Sequence, residues 1–203
     1  MRSSTFDYEK ATQAINYLAV RAGGQIEKLK ALKLYWAADR YHLRKYSRHV
    51  VADAYYAMEY GPVASSVKDF AEDSEFLSAA EREYRNRFLR IDPGHTISSV
   101  SGPDSSLFSE SDLEALDFAY DNLAHLDRWE LSDLSHKYPE WKKHEEQLKR
   151  GASRVYMSIE DFFEDPTGPV ADGDIFSDKS IDVGASKELY KEGARHDLEW
   201  ILS

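Results

Sequence analysis

The sequence predicts a mainly α-helical fold: a compact helical domain carrying one small two-stranded β-hairpin. Three observations predict it. Apolar residues recur at three- and four-residue spacing through several stretches, Gly, Pro and capping residues punctuate those stretches, and Asp92-Pro93-Gly94 lies between two short extended-looking runs. With 42% apolar and 13% aromatic residues, the 203-residue chain has ample material for a core.

The elements follow in order. Asp7 is placed to cap a helix over 8–22, with Ala11, Ile15, Leu18 and Ala22 on one face, and Gly23-Gly24 ends it. A second helix, over 26–46, carries two apolar stripes, one through Leu29, Leu32, Trp36 and Leu43 and one through Leu34, Ala38 and Tyr41. Two stripes predict a central helix packed on more than one side. Residues 53–60 are short and rich in tyrosine, and periodicity leaves them open between an extended piece and a helical turn. Pro62 has no amide hydrogen to lose at a first helical position, which predicts a helix running through Val67 and Phe70. Residues 84–91 and 96–100 read as the two strands of the hairpin.

Ser109 and Ser111 are each followed three residues later by an acid, the capping-box pattern, and Leu113, Leu116, Tyr120 and Leu123 continue at helical spacing. Shorter helices are expected over 130–137 and over 141–150, the latter ended by Gly151. The last fifty residues read as a helical piece near 158–163, a polar loop, and an amphipathic end over 186–202. That end places Tyr190, Ala194, Leu198 and Ile201 on one face, so it is expected to dock.

Charge is unevenly spread. Residues 151–203 hold five Lys/Arg against twelve Asp/Glu, a net of −7, leaving −4 for the first 150 out of the total of −11. That excess of acid opposes a protein that coats a nucleic-acid backbone. Residues 26–50 carry seven Lys/Arg against Glu27 and Asp39, and a solvated helix face explains this stripe better than a polyanion site. The absence of cysteine excludes disulfides and thiolate metal sites. No apolar run matches a signal peptide or a membrane span, so a cytoplasmic protein without membrane association is expected.

A search for chemistry finds little. His136 and His144 are eight residues apart, and His42 and His49 seven, where a helical zinc pair needs four. Asp172, Asp174 and Asp178 lack calcium-loop spacing, Gly23-Gly24 lacks the remaining parts of a phosphate cradle, and no serine stands in a nucleophile elbow. No catalytic residue, metal or cofactor is expected. An enzyme would have to draw on Asp39, His42 or His136.

The most distinctive stretch is Lys33-Leu34-Tyr35-Trp36-Ala37-Ala38-Asp39, then His42-Leu43-Arg44-Lys45-Tyr46, then Asp53, Tyr55, Ala57-Met58 and Tyr60-Gly61-Pro62-Val63. A second block is Leu131-Ser132-Asp133-Leu134-Ser135-His136, followed by Pro139 and Trp141. In order and separation these blocks resemble the Panacea domain, the family of SocA-like antitoxins. Ser47 stands where that family usually has glycine. The resemblance covers about residues 8–145, making 1–150 a Panacea-like antitoxin domain and 151–203 an acidic, partly helical extension. It implies a cytosolic bacterial or phage antitoxin that neutralises a cognate toxin by direct contact, or an adaptor that delivers a client to a protease. Operator binding is the remaining possibility, opposed by net charge and by the lack of a helix-turn-helix.

Of the motif residues, Trp36, Asp53, Gly61, Pro62 and Val63 are expected to serve architecture. Lys33, Asp39, His42, Tyr60, His136 and Trp141 are the candidates for partner contact, although an internal ion pair is the preferred reading for Lys33 and Asp39 and structural packing the preferred one for Tyr60, His136 and Trp141.

Overall fold

In the computed structural model, which describes residues 6–202 without the side chains at 171–172 and 196–202, one long helix organises the chain. Helix α1 (Tyr8–Arg21) begins at Asp7, whose carboxylate accepts from the Lys10 amide, and Gly23 and Gly24 leave it at φ 85° and 98°. Strand β1 (Gln25–Glu27) leads into α2 (Lys28–Tyr46), in which every residue from Ala31 to Arg44 is buried. The two apolar stripes of this helix are thus met by neighbours on all sides. Ser47 ends it at φ 60°, a left-handed position that glycine adopts without cost.

Strands β2 (Tyr55–Met58) and β3 (Gly61–Ala64) form a tight hairpin, followed by α3 (Ser65–Phe70), α4 (Ala79–Phe88), β4 (Leu89–Asp92) and β5 (Thr96–Ser99). Next come α5 (Glu110–Leu123), α6 (Arg128–Ser135), α7 (Pro139–Lys142), α8 (Glu145–Lys149), β6 (Val155–Tyr156) and α9 (Val183–Leu202). The chain is mainly helical, but the single hairpin is corrected. The described residues form two three-stranded antiparallel sheets, in the orders β1-β5-β4 and β3-β2-β6.

Local chemistry explains the differences. Residues 84–88 are helical, because Ser78 and Glu81 close a capping box that drives α4 as far as Phe88. Ile26 pairs with Ile97 in β1 instead of starting the central helix. Pro62 lies in β3, an edge strand on which its missing amide costs no ladder bond. The helix after it starts at Ser65, where Asp53 caps from a distance, accepting from the Ser66 and Val67 amides at 2.7 and 2.9 Å. Residues 141–150 are divided between α7 and α8, and 159–163 form a 3-10 turn.

The segment after α8 lies against α2. Phe162, Phe163 and Phe176 are buried, Arg40 donates to the Glu164 carbonyl at 2.6 Å, and Arg44 pairs with Asp165 at 2.5 Å. In α9, Tyr190 meets the rings of His49 and Phe163, while Ala194 is exposed; the expected inward positions of Leu198 and Ile201 lie outside the described side chains.

Candidate functional site: a clamped hairpin beside an apolar groove

The β2–β3 hairpin turns through Glu59 and Tyr60, with Met58 opposite Gly61. Gly61 sits at φ 104°, and a Cβ there would strike the Ser135 hydroxyl and come within 2.8 Å of Lys33 Nζ. Only glycine meets both demands.

Three side chains from three helices hold the carbonyls of this corner. Trp141 Nε1 of α7 donates to Met58 O at 2.9 Å, Ser132 Oγ of α6 donates to Tyr60 O at 3.1 Å, and Lys33 Nζ of α2 donates to Pro62 O at 2.8 Å. Main-chain oxygens that a hairpin normally turns to water are here satisfied from within, so the corner is fixed to the helical body. Lys33 is fully buried, and burial pushes its amine down to about 7. His136 stacks on Trp141 with ring centroids 3.7 Å apart; burial, then the charge of Lys33, lowers its imidazole pKa.

What the corner presents is aromatic. Tyr60 is 47% exposed and Trp129 48% exposed, and the two rings meet edge to face at 5.6 Å with the Arg128 guanidinium over the indole. Beside them runs a groove of about 870 Å³ floored by Leu29, Leu32, Met58, Val63, Trp141 and Leu148. Its rim carries Lys28, Lys68, Arg128 and Lys149 with Glu27, Glu59 and Glu145. Exposed Tyr60 and Trp129 with a half-buried Arg128 beside an apolar floor is the composition of a protein-docking surface.

The fold therefore gathers Lys33, Tyr60, Gly61, Pro62, Val63, His136 and Trp141 at one place. Asp39 and His42 lie further along α2, both fully buried and bonded within the chain. Asp39 accepts from His49 Nδ1 and from the Val50 amide, each at 2.7 Å, fixing the turn that follows α2. His42 Nδ1 donates to the Arg48 carbonyl at 2.8 Å and Nε2 accepts from Ser111 Oγ at 3.1 Å. Trp36 is a core residue whose Nε1 donates to Glu140 at 3.0 Å, and Asp53 is the remote cap of α3. Lys33 has a carbonyl partner in place of the expected ion pair.

Sequence reasoning passed over Trp129, Met58, Leu29, Leu32 and Leu148 as site residues. Trp129 had a usable signal: Asp127 and Glu130 form a capping box, which puts an intervening tryptophan on an exposed first turn.

A family model of the antitoxin SocA-like Panacea domain matches residues 32–142. The chain belongs to the Panacea family. Comparison with curated proteins and with solved structures finds no significant match. The matched Panacea segment contains the entire clamp, Lys33, Gly61, Pro62, Ser132 and Trp141, together with Tyr60 and Trp129. Leu29 and Leu148, which complete the groove, fall outside it. Among the described residues, no cluster of three or more His, Asp or Glu is placed to hold a metal, and no helix is long and apolar enough to cross a membrane.

Proposed function

We propose that this Panacea protein is an antitoxin that neutralises a cognate protein toxin by direct binding, with the Tyr60–Trp129 face and the adjoining groove as its docking surface. One observation carries the reading: Lys33, Ser132 and Trp141, all within the matched segment, are spent on holding a hairpin, and the surface beside that hairpin is aromatic and apolar. Lys33, Ser132, His136 and Trp141 position; Tyr60 and Trp129 touch the partner. Asp39 and His42 act further off, by fixing the end of α2. Large aromatic anchors at the centre of an interface commonly cost about 2 kcal/mol or more when truncated, roughly thirtyfold in affinity.

Co-expression with a toxic product of the neighbouring reading frame tests the reading. The wild-type chain should restore growth, and Tyr60→Ala/Trp129→Ala should fail to do so while remaining folded. Rescue by the double variant at wild-type level would remove the face from the proposal. Mixing purified toxin and antitoxin without any protease separates masking from delivery, since masking inhibits at once.

A further inference from the structure

We propose that β6 pairs with β6 of a second copy of this chain about a twofold axis, joining the β3-β2-β6 sheets of the two molecules into one. The inference stands on the sheet edge alone and does not depend on the antitoxin reading.

Strand β6 lies at an edge of its sheet, with β2 on one side only. Tyr156 stands opposite Tyr56 and Val155 opposite Ala57, and the Met157 amide donates to the Tyr55 carbonyl at 3.0 Å. Along an antiparallel strand the main-chain groups face alternate neighbours, so Val155 and Met157 turn theirs to β2 while Arg154 and Tyr156 turn theirs away. Among the described residues no main-chain group bonds to these outward ones. Both residues are exposed, Tyr156 to 61%. Unpaired N–H and C=O groups along an exposed edge are a template for another strand.

The side chains select which strand. Arg154 and Tyr156, two positions apart, share one face of the sheet, where the Arg154 guanidinium lies 5.0 Å from the centre of the Tyr56 ring and Tyr156 meets Tyr56 edge to face at 5.7 Å. Arg154 pairs with no carboxylate among the described residues. With Val155 opposite Val155 on the axis, Arg154 of each copy comes opposite Tyr156 of the other, and the two exchange both main-chain bonds. Each guanidinium then gains a tyrosine ring across the boundary, while the two arginines stay apart on the diagonal. A strand as short as β6 holds a partner only where side chains add to the ladder, and here they do so twice, once for each copy. An edge that offers an unpaired cation and an aromatic ring is complementary to itself, the condition for a twofold contact that closes at the dimer.

Cross-linking tests the register, because the chain has no cysteine of its own. Residues facing each other in a non-hydrogen-bonded antiparallel pair have Cα atoms about 4.5 Å apart, within reach of a disulfide. Mild oxidation of full-length Val155→Cys should therefore yield covalent dimer, whereas Ser153→Cys, displaced from the axis, should not. Sedimentation equilibrium of the unsubstituted chain should give twice the monomer mass. Tyr156→Pro removes an outward N–H and no bond to β2, and it should weaken dimerisation at least tenfold. Arg154→Glu, which deletes the cation without touching the backbone, should weaken it in the same sense and carries the test if circular dichroism shows that the proline variant fails to fold. A chain that stays monomeric at every concentration reached overturns the inference. So does a dimer indifferent to the edge substitutions, or one in which Val155→Cys cross-links no better than Ser153→Cys.

Discussion

Lys33 Nζ lies 2.8 Å from the Pro62 carbonyl oxygen, with both residues buried and no carboxylate bonded to the amine among the described residues. A lysine that joins the central helix to the hairpin in this way makes the clamp sensitive to pH. Its folded-state pKa, about 7, is below the ordinary 10.5, so between those values the unfolded chain binds a proton that the folded chain does not. Stability from this group therefore rises as pH climbs from about 7 to about 10, by up to roughly 1.4 kcal/mol per unit, and is flat below 7. Urea titrations at pH 7, 8 and 9 should show that rise in the wild type and a shallower one in Lys33→Met. Equal slopes would mean that the amine is charged in the folded protein.

Gly61→Ala meets two penalties at once, a left-handed φ of 104° and a Cβ driven into Ser135. A loss of about 2–4 kcal/mol is expected from the denaturation midpoint. Adding Ser135→Gly removes the contact with Oγ but leaves the backbone strain, so it should recover only part of the loss.

Ser47→Gly should act in the opposite sense. Serine at φ 60° carries a steric cost of roughly 1 kcal/mol that glycine avoids. For a chain of this size the gain corresponds to a rise in Tm of about 2–4 °C, measured by calorimetry.

Glu140 is fully buried between Trp36 Nε1 and Arg40 Nη1, the latter at 2.6 Å; burial raises its carboxyl pKa, with the Arg40 charge as the leading opposing influence. Removing the carboxylate strands the Arg40 guanidinium, so Glu140→Met should cost about 3–5 kcal/mol. Arg40→Met/Glu140→Met should cost much less than the two single changes together, because no uncompensated charge is left. Hydrogen exchange should quicken near Glu164, whose carbonyl Arg40 also holds.

Much of the helical body was legible in the sequence. Asp7 and Ser109 announce their helices, and the double stripe of α2 announces a helix enclosed on every side. The errors fall where one residue type serves two geometries. Pro62 suits a first helical turn and an edge strand equally well, and only its pairing with Ala57 decides. Tyr84 and Phe88 suit a strand, but the capping box six residues before Tyr84 commits them to a helix. Strand β1, three residues long, is too short to show any period. At the site, the motif residues were visible while their job was not: Trp141 reaches Met58 across 83 positions, and nothing local in either segment records the bond. The free surface at Tyr60 and Trp129 is equally hidden, since exposure of an aromatic ring depends on which neighbours the fold supplies.

Tyr60→Ala and Trp129→Ala separate recognition from folding. Each ring is about half exposed, so stability should change by less than about 1 kcal/mol while toxin affinity falls at least tenfold. Calorimetric titration alongside a thermal melt checks both halves.

The central claim, that the clamped hairpin and its groove form the toxin-binding face, is tested most directly by hydrogen–deuterium exchange of the antitoxin with and without its bound toxin. New protection is predicted at residues 58–63, 128–132 and 145–153. Protection confined to α5 or α9, with those three segments unchanged, would contradict it.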